Sequence, residues 1–507
     1  MLRDGEVMAK ILQELVQSIQ VLEVKGPLDI WVEGLYYDSR KVGPGGLFVA
    51  IKGYQTDGHR FIDDAVGRGA IAIVTQQEVE VPTGVSALRV ADTRIALGQL
   101  AAVFYGYPAR RLGVIGVTGT NGKTTTTHLI EEILSQSGHR VGLIGTVGNK
   151  IGGRMLPSER TTPESLDLQA LLAQMLGEGA GYVVMEASSH ALELHRVEGC
   201  EYDVGVFTNL TQDHLDFHGT MESYLMAKAK LFTGLSKGHK SRRKYAVINT
   251  DDPYGERIKG FTSVPAITYG VKHPADVTAQ GVTISSSGAS LTVVHRNGTF
   301  PLRLRMTGMF SVYNVLAACA VGLEEGIAPE TIRRVLEPIT GVAGRFELVD
   351  CGQEFSVVVD YAHTPDGLEN VLKTAREVTR QRVITVFGCG GDRDRTKRPV
   401  MGEIAARYSE VSIVTSDNPR SEDPLAIISE ILPGVQRYKP EAYRVIPDRR
   451  RAIETAIDMA KPGDMVVIAG KGHETYQIIG AQVLHFDDRE VAREALREKG
   501  GACHDAG

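Results

Sequence analysis

At ~150 residues per domain, a chain of 507 residues has room for about three domains. Its 42% hydrophobic and 23% charged residues are ordinary for a soluble globular protein, which excludes whole-chain disorder and collagen-like repetition. Lys plus Arg total 56 against 62 Asp plus Glu, a formal charge of −6, which argues against a general binder of nucleic acid or anionic membrane.

After the early acids Asp4 and Glu6, the residues Val7, Met8, Ile11, Leu12, Leu15, Val16 and Ile19 share one face at helical spacing. That predicts an amphipathic helix and not a secretion signal, which needs a basic start and a continuous apolar core. LFVAI and AIAIVT then read as strands, with the helix-like FIDDAVGRG between them. Breaks fall at Tyr107-Pro108 and in the glycine-rich stretch Thr340–Glu347. Between them VIGVTG, VGLIGTV, YVVMEAS, DVGVFTN and YAVIN are short apolar runs separated by helical patterns. Beyond them FSVVVDYA, RVITVFG, EVSIVTSD and MVVIAG repeat the alternation. Such runs predict an α/β fold of parallel sheets covered on both faces, with ligands at the carboxyl ends of the strands. From about Asp276 to Thr307 the pattern becomes antiparallel, with Asn297-Gly298 as a hairpin turn. The five cysteines are scattered without a CxxC pair, so neither a zinc ribbon nor a disulfide framework is expected. No apolar run approaches the ~18–20 residues of a membrane span, and a cytoplasmic location is the expectation.

The strongest local motif is VIGVTGTNGKTTTTHLI, Val114 to Ile130, an apolar strand entering a glycine-rich turn and then a helix. Gly119 and Gly122 permit close backbone approach, so amides and the helix N-terminus can surround phosphate oxygens. Lys123 would reach the terminal phosphates and Thr124 is placed to ligate Mg²⁺. Val117 stands where the strict pattern has its first glycine, leaving the shorter GxxGKT form. By contrast, Arg393 occupies the last glycine position of the dinucleotide fingerprint begun by Gly388-Cys389-Gly390-Gly391, which disfavours a nicotinamide enzyme.

In YVVMEASSH a buried strand ends with Glu186, where a carboxylate could hold Mg²⁺ or remain a solvated loop acid. Ser188, Ser189 and His190 concentrate polarity beside it. TNLTQDHLDFHG follows another apolar strand and supplies Asp213, His214, Asp216 and His218, a cluster suited to metal or phosphate. In the next helix, ~100° per residue puts Lys228 within the stripe of Tyr224, Leu225, Leu231 and Phe232, with Lys230 almost opposite. An ammonium ~4 Å from Mg²⁺ would be repelled by about 8 kcal/mol at an effective dielectric of ~20. Lys228 is therefore distant from metal, neutral or modified, unless it snorkels. The basic residues from Lys237 to Lys244 read as a charged surface loop.

In combination, the chain resembles the Mur ligases, ATP-dependent amide-bond-forming enzymes of peptidoglycan synthesis. The resemblance rests on GTNGKTT (Gly119, Thr120, Asn121, Gly122, Lys123, Thr124, Thr125), EASSH, TQDHLDFHG, AKAKLF, Asn314, GRFE and DYAHTPD, and it extends over essentially the whole chain. GCGGDRDRTKRP, SDNPR and AGKGHE are most similar to the branch that adds the third peptide residue. It implies three domains: 1–108 for the UDP-substrate, 109–341 as a central P-loop ATPase of mostly parallel sheet with a small antiparallel sheet, and 342–507 as a Rossmann-like amino-acid domain. It also implies carbamylation of Lys228, which turns a cation into an anionic metal ligand. Lys123, Lys228, Glu186 and His214 become the catalytic set, with Thr124, Glu186, His214 and Lys228 near metal. Asn314, Arg345, Asp360 and His363 match positions around the nucleotide or the interdomain active site.

For the nucleotide-sugar substrate, Tyr37, Ser39 and Tyr54-Gln55-Thr56 match the uridine end. Arg160, Thr161, Thr162, Ser188 and Arg196 match the muramoyl-peptide side. Leu194 falls at a substrate-facing position where the family pattern suggests a polar side chain. The implied reaction activates a D-glutamyl carboxylate as an acyl phosphate and then couples it to an amine. Arg393 and Asp417-Asn418-Pro419-Arg420, with Gly470 and Glu474, suit an amino acid carrying a distal carboxylate and amine, since guanidinium pairs with carboxylate. DNPR resembles the meso-diaminopimelate signature, favoured over lysine. ATP, Mg²⁺, UDP-N-acetylmuramoyl-L-alanyl-D-glutamate and meso-diaminopimelate are thus the implied ligands of a monomer with no nucleic-acid or membrane partner. A folylpolyglutamate synthase would share the phosphate loop and inward lysine, but the N-terminal Asp38-Ser39-Arg40 segment and DNPR disfavour it. A nucleotide-driven switch, or a scaffold that holds nucleotide without turnover, leaves the two flanking domains unexplained.

Overall fold

The computed structural model describes residues 9–53, 56–156, 160–285 and 288–500. The chain forms two compact units, one running to Leu210 with His214–Tyr269 and Ala320–Gly322, the other built from Thr211–Asp213, Gly270–Cys319 and the chain from Leu323.

The first unit carries two main sheets and a short two-stranded pairing. The smaller has five strands in the order Val21–Lys25, Ser86–Val90, Ala70–Thr75, Gly46–Val49, Gly34–Tyr36, parallel except for the first pair. The run expected to open the chain as one helix is different. Lys10–Ile11 pairs antiparallel with Trp31–Val32, and only Leu12–Val16 is helical, with Leu12 and Leu15 buried. The strand pairing claims Ile11; Val7 and Met8 lie outside the described residues.

In the larger sheet the order is Arg154–Leu156, Gly148–Ile151, Val141–Gly145, Tyr182–Glu186, Gly113–Thr118, Val204–Phe207, Tyr245–Asn249, Ala266–Gly270. From Val141 onward every pair is parallel. Its central strands are buried along their whole length because helices cover both faces, which is why they read as uninterrupted apolar runs. Gly113–Thr118 is central, and the register sets Glu186 beside Val117 and Phe207 beside Thr118. The carboxyl ends of these three neighbouring strands therefore meet at one end of the sheet, where such folds bind ligands.

The second unit has an antiparallel meander, Val277–Ser285, Gly288–His295 and Gly298–Leu304. Its second turn is Arg296-Asn297, one residue earlier than expected, because Gly298 already pairs with His295 at φ 144°. A six-stranded sheet follows, ordered Glu347–Leu348, Ser356–Asp360, Met465–Ala469, Val383–Phe387, Val411–Val414, Tyr443–Val445 and parallel apart from its first pair. Strand alternation splits its core in two: Val358 and Val467 face Leu372, Met401 and Ile431, whereas Val357, Val359 and Ile468 face Ile453, Ile457 and Leu496. Behind the strand ends, Arg449 and Asp488 form a wholly buried bidentate pair at 2.7 Å for both bonds. Arg449 also donates to the Ser416 and Ala469 carbonyls, tying two strand termini together. The fold is the expected α/β architecture. Among the described residues no helix is long and apolar enough to cross a membrane.

Candidate active site

The strand Gly113–Thr118 delivers the chain into a turn that only glycine can make. Gly119 has φ 150°, and a Cβ there would lie 1.8 Å from the Thr208 hydroxyl. Gly122 (φ 85°) then starts the helix Lys123–Gln136. The loop is held from the neighbouring strand end, which sequence reading did not single out. Thr208 Oγ1 and Asn209 Nδ2 donate to the Asn121 carbonyl at 2.6 and 3.2 Å, while Asn121 and Thr120 amides donate to Asn209 at 2.9 Å each. These bonds preset an anion cradle at a helix start, with Thr125 buried in its first turn.

Two ammonium groups converge on this loop. Lys123 Nζ donates to the Gly119 and Thr120 carbonyls at 2.9 Å, and Lys228 Nζ donates to the same Gly119 carbonyl at 2.7 Å. Lys228, on the helix Met221–Leu235, is 1% exposed, whereas the Lys230 side chain is 39% exposed and pairs with Glu193. The inward and outward assignment holds. Like charges sharing one acceptor, ~5–6 Å apart at most, repel by about 3 kcal/mol at an effective dielectric of ~20. Lys228 also lies 4.4 Å from the Tyr224 ring centroid, and the Tyr224 hydroxyl meets Thr120 Oγ1 at 3.1 Å.

Glu186 is buried at the adjacent strand end. It accepts from Thr124 Oγ1 at 3.1 Å and from the Thr146 amide and hydroxyl at 2.7 and 3.2 Å. A buried carboxylate whose hydrogen-bond partners among the described residues are all neutral suits a hard cation, and Thr124 adds a second oxygen. No three His, Cys, Asp or Glu side chains cluster as a metal cage among the described residues. A site of this composition fits Mg²⁺, which takes few protein ligands and fills its sphere with water and phosphate. His214, at φ 53°, sits in a ring cluster, 4.7 Å from His190 and 6.2 Å from Tyr224. Nearby His218 bonds Ser189 Oγ at 3.0 Å; burial, then the charges of His190 and Lys228, push it down to about 4.

The segment assigned to the muramoyl peptide adjoins this centre. Thr161 Oγ1 meets Thr146 Oγ1 at 3.0 Å, and Thr162 Oγ1 donates to the Glu186 carbonyl at 2.8 Å and accepts from the Ser188 amide at 3.3 Å. Arg160 and Arg196 converge on buried Glu164 at 2.5 and 2.9 Å, joined by Arg94 at 3.2 Å. Three guanidiniums on one carboxylate leave a net positive cluster beside Thr161. Arg94 also donates to the Lys52 carbonyl at 3.3 Å, linking the cluster to the chain just before the uridine segment. Neither Arg94 nor Glu164 was expected; they lie 70 residues apart in sequence. Leu194 is half-buried at the end of the helix Ser189–Glu193.

Ser39 is buried and hydrogen-bonds Asp64, holding that carboxyl below its ordinary range. Tyr37 donates to Asp167 at 2.5 Å, and burial followed by that carboxylate raises the phenol. Thr56 is exposed, and Tyr54 and Gln55 lie outside the described residues. One basic residue departs from the surface-loop reading: the Lys240 side chain is buried, paired with Asp203 and donating to the Leu112 and Glu201 carbonyls at 2.7 and 3.0 Å.

In the second unit Asn314 is buried on the helix Met309–Glu324. Asp360 accepts from the Phe346 and Ala362 amides at 2.6 and 2.8 Å, and burial raises its carboxyl. Arg345 lies over the Tyr361 ring at 5.1 Å, and His363 packs on the same ring at 4.6 Å. The residues assigned to the amino acid form one neighbourhood. Asp417 and Asn418 are buried; Asn418 Nδ2 donates to Glu474 Oε2 at 2.9 Å. Gly470 (φ 119°) gives Asp417 its room, since a Cβ there would stand 2.5 Å from Asp417 Oδ2. Pro419 leads into Arg420, whose guanidinium donates to the Gly391 carbonyl at 2.8 Å. Arg393 is exposed nearby in sequence, donating to the Asp392 carbonyl at 3.1 Å. Arg398, fully buried, anchors this glycine-rich loop through Glu422 and Glu430 at 2.8 Å each.

The chain matches the Mur ligase family catalytic domain over residues 32–105, the Mur ligase middle domain over 117–322 and the Mur ligase glutamate ligase domain over 344–472. It is 49% identical over 488 residues to the UDP-N-acetylmuramoyl-L-alanyl-D-glutamate–2,6-diaminopimelate ligase of Syntrophomonas wolfei, covering 96% of this chain and 99% of that protein. It is 52% identical over 469 residues to the protein of the same name from Geobacillus thermodenitrificans, covering 92% and 95%. Among solved structures, a ligase of that name superposes with TM-score 0.71 at 35% identity, covering 98% of this chain and 100% of the other. A Mycobacterium tuberculosis folylpolyglutamate synthase complexed with ADP and AMPPCP shares the fold alone, with TM-score 0.60 at 17% identity over 81% of this chain and 96% of the other. With sequence likeness of this length and a phosphate loop braced as described, the chain belongs to the Mur ligase family.

Proposed function

We propose that the chain is an ATP-dependent ligase that joins meso-2,6-diaminopimelate to the D-glutamate of UDP-N-acetylmuramoyl-L-alanyl-D-glutamate, in the cytoplasm, where peptidoglycan precursors would be assembled. What carries the reading is the near-full-length similarity to relatives bearing that name. The division of labour follows the sequence: residues 1–108 for the UDP end, 109–341 for ATP and 342–507 for the amino acid.

In the first step a D-glutamyl carboxylate oxygen attacks the γ-phosphorus and ADP leaves. In the second the amine attacks the acyl carbon, phosphate leaves and the nitrogen loses a proton. Lys123 and the backbone amides at the start of its helix stabilise the charge spreading over the transferred phosphoryl group. Thr124 and Glu186 would hold Mg²⁺, which neutralises phosphate charge when bound. Lys228 is assigned as a carbamate: its neutral amine adds to CO₂, forming an N–C bond and releasing a proton. That exchange replaces one of two ammoniums on the Gly119 carbonyl by an anion, removing their repulsion. His214, beside Tyr224, borders the same space.

The Glu164 cluster would meet the anionic muramoyl-peptide. Glu164→Gln is expected to raise the KM for the UDP-dipeptide by ~10-fold, with the KM for ATP unchanged, as Arg160 and Arg196 lose their common anchor. A change under twofold would remove the cluster from substrate binding.

The test of the whole reading is phosphate release with UDP-N-acetylmuramoyl-L-alanyl-D-glutamate, ATP and Mg²⁺, with meso-diaminopimelate or L-lysine as amine. Release with the first alone, with the matching mass gain on the UDP-substrate, is the expected result. A preference for lysine would overturn the specificity, and release that ignores both amines would favour a hydrolase.

A further inference from the structure

Lys471 lies in the turn between the strands Met465–Ala469 and Tyr476–Ile479, flanked by Gly470 and Gly472. It is 0% exposed, although lysine is among the residues that resist burial most. Its ammonium donates to Glu474 Oε2 and to Asn418 Oδ1, at 3.2 Å each. Asn418 Nδ2 closes the triangle on the same Glu474 oxygen at 2.9 Å, and Asn418 Oδ1 accepts a further bond from the Ile478 amide at 3.0 Å.

Two consequences follow from the donor chemistry. An amide oxygen facing two donors cannot exchange places with its nitrogen, so Asn418 has one fixed orientation. With Lys471 and Asn418 both on Oε2, the Glu474 carboxylate is also held in rotation, and its charge is partly offset by a buried ammonium. A glutamate in that state attracts an incoming ammonium less by raw charge and selects it more by direction.

We propose that Lys471 is a positioning residue for amino-acid selection, holding Glu474 and Asn418 in the arrangement that reads a distal group bearing both an ammonium and a carboxylate. The proposal rests on the assignment of Glu474 and Asn418 to amino-acid binding made above. Lys471 touches no reacting atom in this scheme; it acts through its two partners.

The experiment is a double-mutant cycle on the full-length enzyme with Lys471→Met, Glu474→Gln and the pair, measuring kcat and KM for meso-diaminopimelate, L-lysine, ATP and the UDP-substrate. Coupled buried groups give interaction effects of roughly 2- to 100-fold. Lys471→Met is expected to raise the KM for meso-diaminopimelate by ~10-fold or more and to narrow its preference over lysine. The KM for ATP should stay within about twofold, and in the Glu474→Gln background the added loss should fall below ~2-fold. An equal loss in both backgrounds, or an unchanged diaminopimelate KM in Lys471→Met, overturns the proposal. If Glu474→Gln itself leaves that KM unchanged, the underlying assignment fails instead. Lys471→Gln, which keeps a donor for Asn418 without the charge, is the second variant. If neither folds by its melting curve, Lys471 is structural and the proposal is overturned.

Discussion

Lys123→Met is expected to lower kcat by ~10³-fold, the range in which single charge-stabilising groups act on phosphoryl transfer. The ammonium of Lys123 rests on the Gly119 and Thr120 carbonyls, so it belongs to the phosphate loop before any ligand arrives. Methionine has similar reach without the charge, and the bonds from Thr208 and Asn209 to Asn121 would keep the loop in shape. The loss should thus appear in single-turnover phosphate release with the folded state intact. A decrease below tenfold would show that charge stabilisation comes from elsewhere in the site.

Lys228→Ala should lower synthesis by ~10²- to 10³-fold, and added acetate or formate should restore part of it. The two small-molecule rescues separate the chemical states of this residue. A carboxylate stands in for a carbamate, whereas methylammonium stands in for the ammonium that donates to Gly119. Rescue by the cation alone would overturn the carbamate assignment, and full activity without rescue would remove Lys228 from the catalytic set.

Much of the fold was legible because strands buried on both faces leave an apolar signature that water-facing elements lack. VIGVTG, YVVMEAS, DVGVFTN and YAVIN became Gly113–Thr118, Tyr182–Glu186, Val204–Phe207 and Tyr245–Asn249. Helical angle alone separated Lys228 from Lys230. The opening helix failed because periodicity cannot see that Ile11 will be taken by a strand partner twenty residues on. Lys240 was read as solvated because its partner Asp203 lies 37 residues away in sequence. The same limit hid Thr208 and Asn209 behind the phosphate loop, Arg94 and Glu164 beside the dipeptide segment, and Lys471, whose burial no local pattern announces. Sequence motifs supplied the candidate groups for ligands; the groups that brace them come from distant chain.

The segment Asp417–Arg420 is threaded against the strand Tyr476–Ile479. Gln477 Nε2 donates to the Asp417 carbonyl at 2.7 Å, the Arg420 amide donates to the Ile478 carbonyl at 3.0 Å, and the Gly480 amide donates back to Arg420 at 2.7 Å. Arg420 keeps φ 53° there, a conformation a side chain accepts only when its surroundings impose it. The four-letter DNPR signature is therefore not a portable cassette. Grafting it alone onto a relative with another amino-acid preference would deliver the letters without the backbone that aims them. A working transplant has to carry the stretch around residues 470–485 as well, and in descent the two stretches should change together or not at all.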